Sequence, residues 1–387
     1  VYRIGKDELD AISEVLLSGK VFRYGIGNAC TQFEERYAKY LGVKHVMMTS
    51  SGTTALTAAL VGQRVGPGDE VLVPACTYIA TAIAVVAAGA IPVIVDVDES
   101  LTMDPDAVEA AIGPRTRAMV PVHMWGLVCD MDRLMAIAKR HSLIVVEDAC
   151  QCVGGGYKGR KVGAIGHAGA FSFNYYKNMT AGEGGACVTN DDASVDRMGC
   201  MIDCCKFYWT SREQNESLFI SNGSRASEIE GAVLNVQLKR IDPMIRAMRR
   251  QKLRVLKETA DTGLKPLKAN SLEFECGTHV GFVLPTVAQA DEFQRLTGCT
   301  IAGKTGRHVY TEWDPIFAHS GAPHPAMNPF RFKENAGCRM SYSKSMCATS
   351  LDILNRSILF GTHPDRTRPD VTRQIRTIRE TAQAVLK

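Results

Sequence analysis

The chain has 387 residues, 45% of them apolar and 22% charged, with 45 basic against 41 acidic side chains. That length exceeds what one hydrophobic core ordinarily supports and predicts two domains. The small basic excess is mixed along the chain, which excludes the dense basic tract that nucleic acid or an anionic membrane would attract. No run approaches about eighteen uninterrupted apolar residues, so no membrane span is expected. The opening "VYRIGKDELD" lacks a signal-peptide pattern. Thirteen cysteines, an odd number, are spread along the chain. Cys76, Cys150 and Cys187 lie in apolar runs where a thiol acts as a small hydrophobe. These features predict a cytoplasmic protein with reduced thiols.

From about residue 44 to 190 seven short apolar runs alternate with helical or loop segments. They are "KHVMMTS", "DEVLVPACTY", "IPVIVDVD", "RAMVPVHMWG", "LIVVEDAC", "AGAFSFNY" and "GACVTN". Such runs, apolar on both faces, are strands covered by helices on each side. Between them "TTALTAALVGQRV", "YIATAIAVVAAG" and "MDRLMAIAKRHS" have helical patterns, so a mostly parallel α/β sheet is predicted, with an antiparallel member among the last two strands. A long amphipathic stretch from Ala226, broken near Pro243, leads to "HVGFVLP", a helix-like "VAQADEFQRLTG" and a terminal helix in "DVTRQIRTIRETAQAVLK". The division predicted is 1–242 for a large domain and 243–387 for a smaller α/β domain. The irregular insert at 311–337 contains Trp313, Phe317, Phe330 and Phe332, which favour an ordered loop. The basic run 245–257 reads as the solvated face of a helix.

Ligands of open parallel sheets bind beyond the carboxyl ends of the strands. The first such end enters "SSGTTALTAAL", where a helix begins. Its free N–H groups make either a phosphate site from Gly52, Thr53 and Thr54 or a simple N-cap. The second end carries Tyr78, a ring for stacking on a flat ligand or for core packing. The strand "LIVVEDACQ" ends in Glu147, Asp148 and Gln151, and a carboxylate after an apolar run needs a positive partner. Lys177 follows "AGAFSFNY" and precedes the roomy "AGEGG". A buried lysine favours its neutral form, which suits imine chemistry. A phosphate cradle, a stacking ring, a carboxylate for a ring nitrogen and an amine for an aldehyde together describe a pocket for pyridoxal 5′-phosphate.

Nearly the whole chain resembles the DegT/DnrJ/EryC1/StrS sugar aminotransferases, which are fold-type-I pyridoxal-phosphate enzymes. The resemblance rests on "FRYG", "FEERYAKYLG", "SSGTTAL", "VDVD", "EDACQ", "VGAIGHAGAFSFNYYKNMTAGEGG" and "RASEIEGAVLNVQLKRID". It implies that Lys177 carries the cofactor as an imine, Asp148 pairs with the pyridinium nitrogen, and Gln151 lies near the ring hydroxyl. Tyr78 would stack on the ring, while Gly52, Thr53, Thr54 and Ser172 would hold the phosphate. It also implies a homodimer with active sites at the interface. The expected reaction moves an amino group from an amino acid, Glu or Gln, to a keto-sugar or cyclitol ketone in amino-sugar, antibiotic or polysaccharide biosynthesis. Tyr24, Arg225, His308, Tyr310 and Trp313 are candidate acceptor contacts; the last three also suit a loop anchored by aromatic residues.

Two departures from the family stand out. The Asn expected to reach the neighbouring subunit's phosphate is replaced by Gly223, so either Asn222, one place earlier, substitutes through a loop shift or that contact is missing. His167 stands where the family commonly has an acidic residue. A decarboxylase or another lyase using the same cofactor is the alternative activity. "GGGYKG" (154–159) matches a dinucleotide fingerprint but is followed by no helical period. "CQC" and "CMIDCC" lack the paired spacing of a zinc site, so no metal is expected.

Overall fold

The computed structural model describes residues 3–24, 28–203 and 219–387. All seven apolar runs become strands of one sheet. The first five are His45–Thr49 (β1), Glu70–Pro74 (β2), Ile91–Val95 (β3), Thr116–Met119 (β4) and Ile144–Asp148 (β5). A short hairpin, Gly156–Tyr157 (β6) with Arg160–Lys161 (β7), precedes Ala168–Ser172 (β8) and Gly185–Thr189 (β9). The lateral order is β1-β9-β8-β5-β4-β2-β3. Only β9 runs against its neighbours in this sheet.

Side chains alternate between the faces with the two-residue period of a strand. Val73, Ile94, Val146 and Cys187 enter one apolar cluster, and Leu72, Val93, Val145 and Val188 enter the other. Helices Gly52–Gly62 and Met131–His141 begin at Ser51 and Asp130, whose side chains accept amide bonds as N-caps. Phe171 and Phe173 pack on Tyr37 of helix Ala29–Leu41, at 5.2 and 5.8 Å between ring centroids. Ser172, between them in sequence, is thereby turned to the opposite side.

The amphipathic stretch divides into helices Glu228–Leu238 and Ile241–Glu258. The break is at Lys239–Arg240, ahead of Pro243, which occupies the first turn of the second helix. Proline is tolerated there because first-turn amides have no carbonyl to bond. Strands Lys265–Pro266 (β10), His279–Val283 (β11), Thr300–Ile301 (β12) and Ser357–Gly361 (β13) form an antiparallel sheet in the order β10-β11-β13-β12. Helices Val287–Thr297 and Arg368–Val385 close its core on Phe282, Phe293, Ile358 and Ile375.

The segment after β12 returns to the large sheet. Val309 bridges Cys76, the Tyr310 amide donates to the Ala75 carbonyl at 3.0 Å, and Arg339 clasps Glu70. The predicted boundary at 242/243 falls in the first turn of helix Ile241–Glu258, and the chain beyond it packs against both sheets. Trp313 and Phe330 are buried in that segment, as an ordered loop requires. Among the described residues no helix is long and apolar enough to cross a membrane. No disulfide joins the eleven described cysteines to one another. Cys204 and Cys205 of "CMIDCC" lie outside the described residues.

Candidate active site

A cavity of about 560 Å³ opens at the carboxyl ends of the parallel strands, between the two sheets. It gathers Gly52, Thr53, Tyr78, Asp148, Gln151, Ser172, Lys177 and His308 from the residues singled out in the sequence. Lys177 lies on a loop closed at its neck: the Ala181 amide donates to Phe173, and the Tyr175 amide to Gly182. Its own amide donates to the Asn174 carbonyl at 2.9 Å. The side chain is half-buried in this chain alone.

The helix Gly52–Gly62 points its N-terminus into the cavity. The first amides of a helix have no carbonyl behind them and favour an anion. A Cβ on Gly52 would come within 2.7 Å of Ser172 Cβ, and one on Gly185 within 2.4 Å of the Ser51 carbonyl oxygen. Both glycines let the helix start press onto β8 and β9, which leaves a cradle that a larger residue would fill. Thr54 does not join it. Its hydroxyl donates to the Ser51 carbonyl at 2.9 Å and accepts from the Ser51 amide at 3.2 Å. The residue that lines the cavity is instead Ser51, which its N-cap position in "SSGTT" could have indicated.

Asp148 is nearly buried at the end of β5. One carboxylate oxygen accepts from Thr81 Oγ1 at 2.8 Å and the other from the Cys150 amide at 3.1 Å. The neighbouring Glu147 faces away from the cavity, where the His123 ring and the amides of Gly163, Ile165 and Gly166 meet it. The positive partner expected for Glu147 is thus a set of fixed dipoles.

Tyr310 and Trp313 are corrected to a structural role. Both are fully buried outside the cavity. The Tyr310 hydroxyl donates to the Lys344 carbonyl at 2.8 Å, and Trp313 Nε1 to the Arg307 carbonyl at 3.0 Å. Tyr24 and Arg225 do not line this chain's cavity either. Arg225 donates to Asp203 at 3.1 Å, and burial pushes the Tyr24 hydroxyl up to about 12. Asn222 is exposed beside Gly223, whose φ of +64° is left-handed. His167 also lies outside the cavity; its Nδ1 accepts from the Val145 amide at 3.0 Å, tying β8's approach to β5.

Residues that sequence reasoning missed include Trp125, Thr278 and His279, all lining the cavity. Burial pushes His279 down to about 4 from an ordinary 6.5. A group with a depressed folded pKa that must stay neutral contributes stability fully above 6.5, and this is lost as pH falls toward 4. Between pH 7 and pH 5 that loss is about 2 kcal/mol. Denaturant titrations at the two pH values are expected to show His279→Asn with a shallower dependence by that amount.

Together these groups suit a flat, phosphorylated aldehyde with a basic ring nitrogen. The fold is that of the fold-type-I aminotransferases, with a mostly parallel seven-stranded sheet and helices on both faces. The chain belongs to the DegT/DnrJ/EryC1/StrS aminotransferase family, which it matches over residues 2–294. It is 42% identical over 230 residues to GDP-perosamine synthase of Caulobacter vibrioides, covering 58% of this chain and 60% of that protein. With an L-glutamine:2-deoxy-scyllo-inosose aminotransferase of Streptomyces lividus it shares 36% identity over 319 residues, covering 76% of this chain and 74% of the relative. The aminotransferase from Psychrobacter cryohalolentis superposes with a TM-score of 0.81 at 27% identity, covering 100% of this chain and 99% of that one. The matched part spans less than two thirds of the length of several curated relatives.

Proposed function

We propose that this protein is a pyridoxal-phosphate-dependent aminotransferase that moves an amino group from an amino acid, Glu or Gln, to a keto-sugar or cyclitol ketone. The observation that carries the proposal is one cavity holding Lys177, Asp148 and the Gly52–Ser172 cradle together. The names of the relatives support the acceptor class, since they include a perosamine synthase and an inosose aminotransferase.

The amides of Gly52 and Thr53, with the Ser172 hydroxyl, would hold the phosphate. Tyr78 would lie on the ring and Gln151 near its hydroxyl. Asp148, fixed by Thr81 and the Cys150 amide, would hold a proton on the ring nitrogen. When bound, the cofactor supplies an electron sink for the pair left on the donor's Cα. Lys177 is the one amine lining the cavity among the described residues. Its Nζ would bind the aldehyde carbon and, once displaced, take the proton from the donor's Cα and return it as general base and acid.

The proposed assembly is a homodimer with the active site at the interface. Tyr176 at the cavity, Leu17 and Ile220 are large apolar side chains left highly exposed, as surfaces covered by a partner are. That no disulfide joins the described cysteines to one another is consistent with the cytoplasmic setting also proposed.

The test begins with cofactor-supplemented protein: borohydride should bleach its near-visible absorbance and fix the added mass on Lys177. Glu or Gln should then convert the spectrum, and a keto-sugar or cyclitol ketone should restore it. Carbon dioxide release in place of amino transfer would move the assignment to a decarboxylase.

A further inference from the structure

Part of the cavity lining is built around a strained residue. Trp125 has φ 53° and ψ 26°, left-handed values that a bulky side chain seldom adopts. Its carbonyl accepts from Thr278 Oγ1 at 2.5 Å and from His279 Nδ1 at 3.1 Å. Gly126 follows at φ +78°, and a Cβ there would fall 2.2 Å from Thr278 Oγ1. The turn after β4 and the start of β11 therefore interlock, with the Trp125 side chain held against the cavity. Strain held in this way points to a function for the side chain that it positions.

His279 and His308 line the same cavity as that indole; His308 lies 6.2 Å from Trp125 and 5.4 Å from Tyr78 between ring centroids. The two imidazoles are tethered alike. His279 Nδ1 meets the Trp125 carbonyl, and His308 Nδ1 meets the Thr305 carbonyl at 3.0 Å. A carbonyl only accepts, so the partner assigns the ring proton to Nδ1 in both. Nε2 is left as a bare acceptor on each ring. Burial lowers the pKa of both rings, the Lys177 charge adds to this at His308, and the Lys252 charge adds to it at His279. Both rings are therefore neutral acceptors near pH 7.

We propose that His279 and His308 are a hydroxyl-reading pair, each accepting through Nε2 a hydrogen bond from a hydroxyl of the amino acceptor, whose ring lies against Trp125. Two acceptors beside an indole match a polyhydroxylated ring, which offers O–H donors at its edge and C–H groups on its face. They disfavour a carboxylate or phosphate at the same place, since neither has a proton to give. The proposal rests on the amino-transfer reading and deepens it by naming what selects the acceptor. Trp125 and His279 carry it together with His308.

The experiment separates the two half-reactions, each followed by the cofactor spectrum. Acceptors tested are a pentahydroxycyclohexanone, nucleotide-linked keto-sugars, and monodeoxy analogues of whichever is accepted. His279→Asn and His308→Asn keep an N–H near the Nδ1 position and remove Nε2. Each is expected to lower kcat/KM of the acceptor half-reaction by about 10- to 100-fold, at least five times more than the donor half-reaction. A deoxy acceptor should lose a similar factor with the wild type and no further factor with the variant that lacks its partner. His279→Gln, which restores a polar group near Nε2, should recover part of the loss.

Equal losses in both half-reactions, or losses that multiply for every deoxy position, would overturn the pair. So would donors that react while no polyhydroxylated ketone does. If no amino donor changes the spectrum, it is the function proposal that fails. Imidazole ¹⁵N spectra of the resting protein need no turnover. They should show protonated Nδ1 at both residues at pH 7, and a bare Nδ1 at either one would overturn the proposal.

Discussion

Lys177→Ala is expected to lower steady-state amino transfer by roughly a thousandfold or more. The same nitrogen is asked to hold the cofactor's aldehyde and to carry the donor's Cα proton, and no other lysine lines the cavity among the described residues. The fold should survive the change. The side chain is half-buried, and the bonds that close the 173–182 loop are made by the backbone. Stability should therefore move by no more than about 0.5 kcal/mol. Steady-state rates and borohydride labelling measure the chemistry, and denaturant titration measures the fold. Repeated turnover by the variant at the wild-type rate would remove Lys177 from the mechanism.

Glu147→Gln is expected to cost about 3–5 kcal/mol of stability, the range for breaking a buried, charge-assisted network. The carboxylate is fully buried and encircled by donors: Gly163 N at 2.8 Å, Ile165 and Gly166 N at 2.6 Å, and His123 Nε2 at 3.0 Å. His123 Nδ1 in turn accepts from the Cys129 amide at 3.2 Å, which leaves its proton on Nε2, facing Glu147. A carboxamide keeps the shape but turns an N–H toward donors on one side, leaving them unsatisfied. The affected turn leads into β8, so activity should fall together with stability and return when temperature or an osmolyte restores the fold. A loss below about 1 kcal/mol by denaturant titration would show that this network is dispensable.

The sheet was legible because its strands are buried on both faces and so read as unbroken apolar runs. Ser172 and Lys177 were legible because an alternating strand ending in a glycine-rich turn has few ways to place them. Thr54 was misplaced for a local reason: in the capping box its hydroxyl turns back onto the Ser51 backbone, and the N-cap residue Ser51 lines the cavity in its stead. Tyr310 and Trp313 were misplaced for a distant one. An aromatic loop looks the same whether it faces a ligand or returns to β2, and only the bridge from Val309 to Cys76 decides. Trp125 and His279 carried no local signal at all, since their partnership joins residues 154 positions apart.

The return of the 302–347 segment to the first sheet also bears on how a ligand enters. A hinge needs a few residues free to absorb a large dihedral change. Here Ile79 N is fixed to Arg307 O, Tyr342 Oη to Pro92 O, and Ser350 to Asp96, so the two halves are buttoned together along the rim. Swinging one half open would break these fastenings at once. Admission then falls to the mouth of the cavity itself, where Tyr78 is 41% exposed, and not to a parting of the two halves.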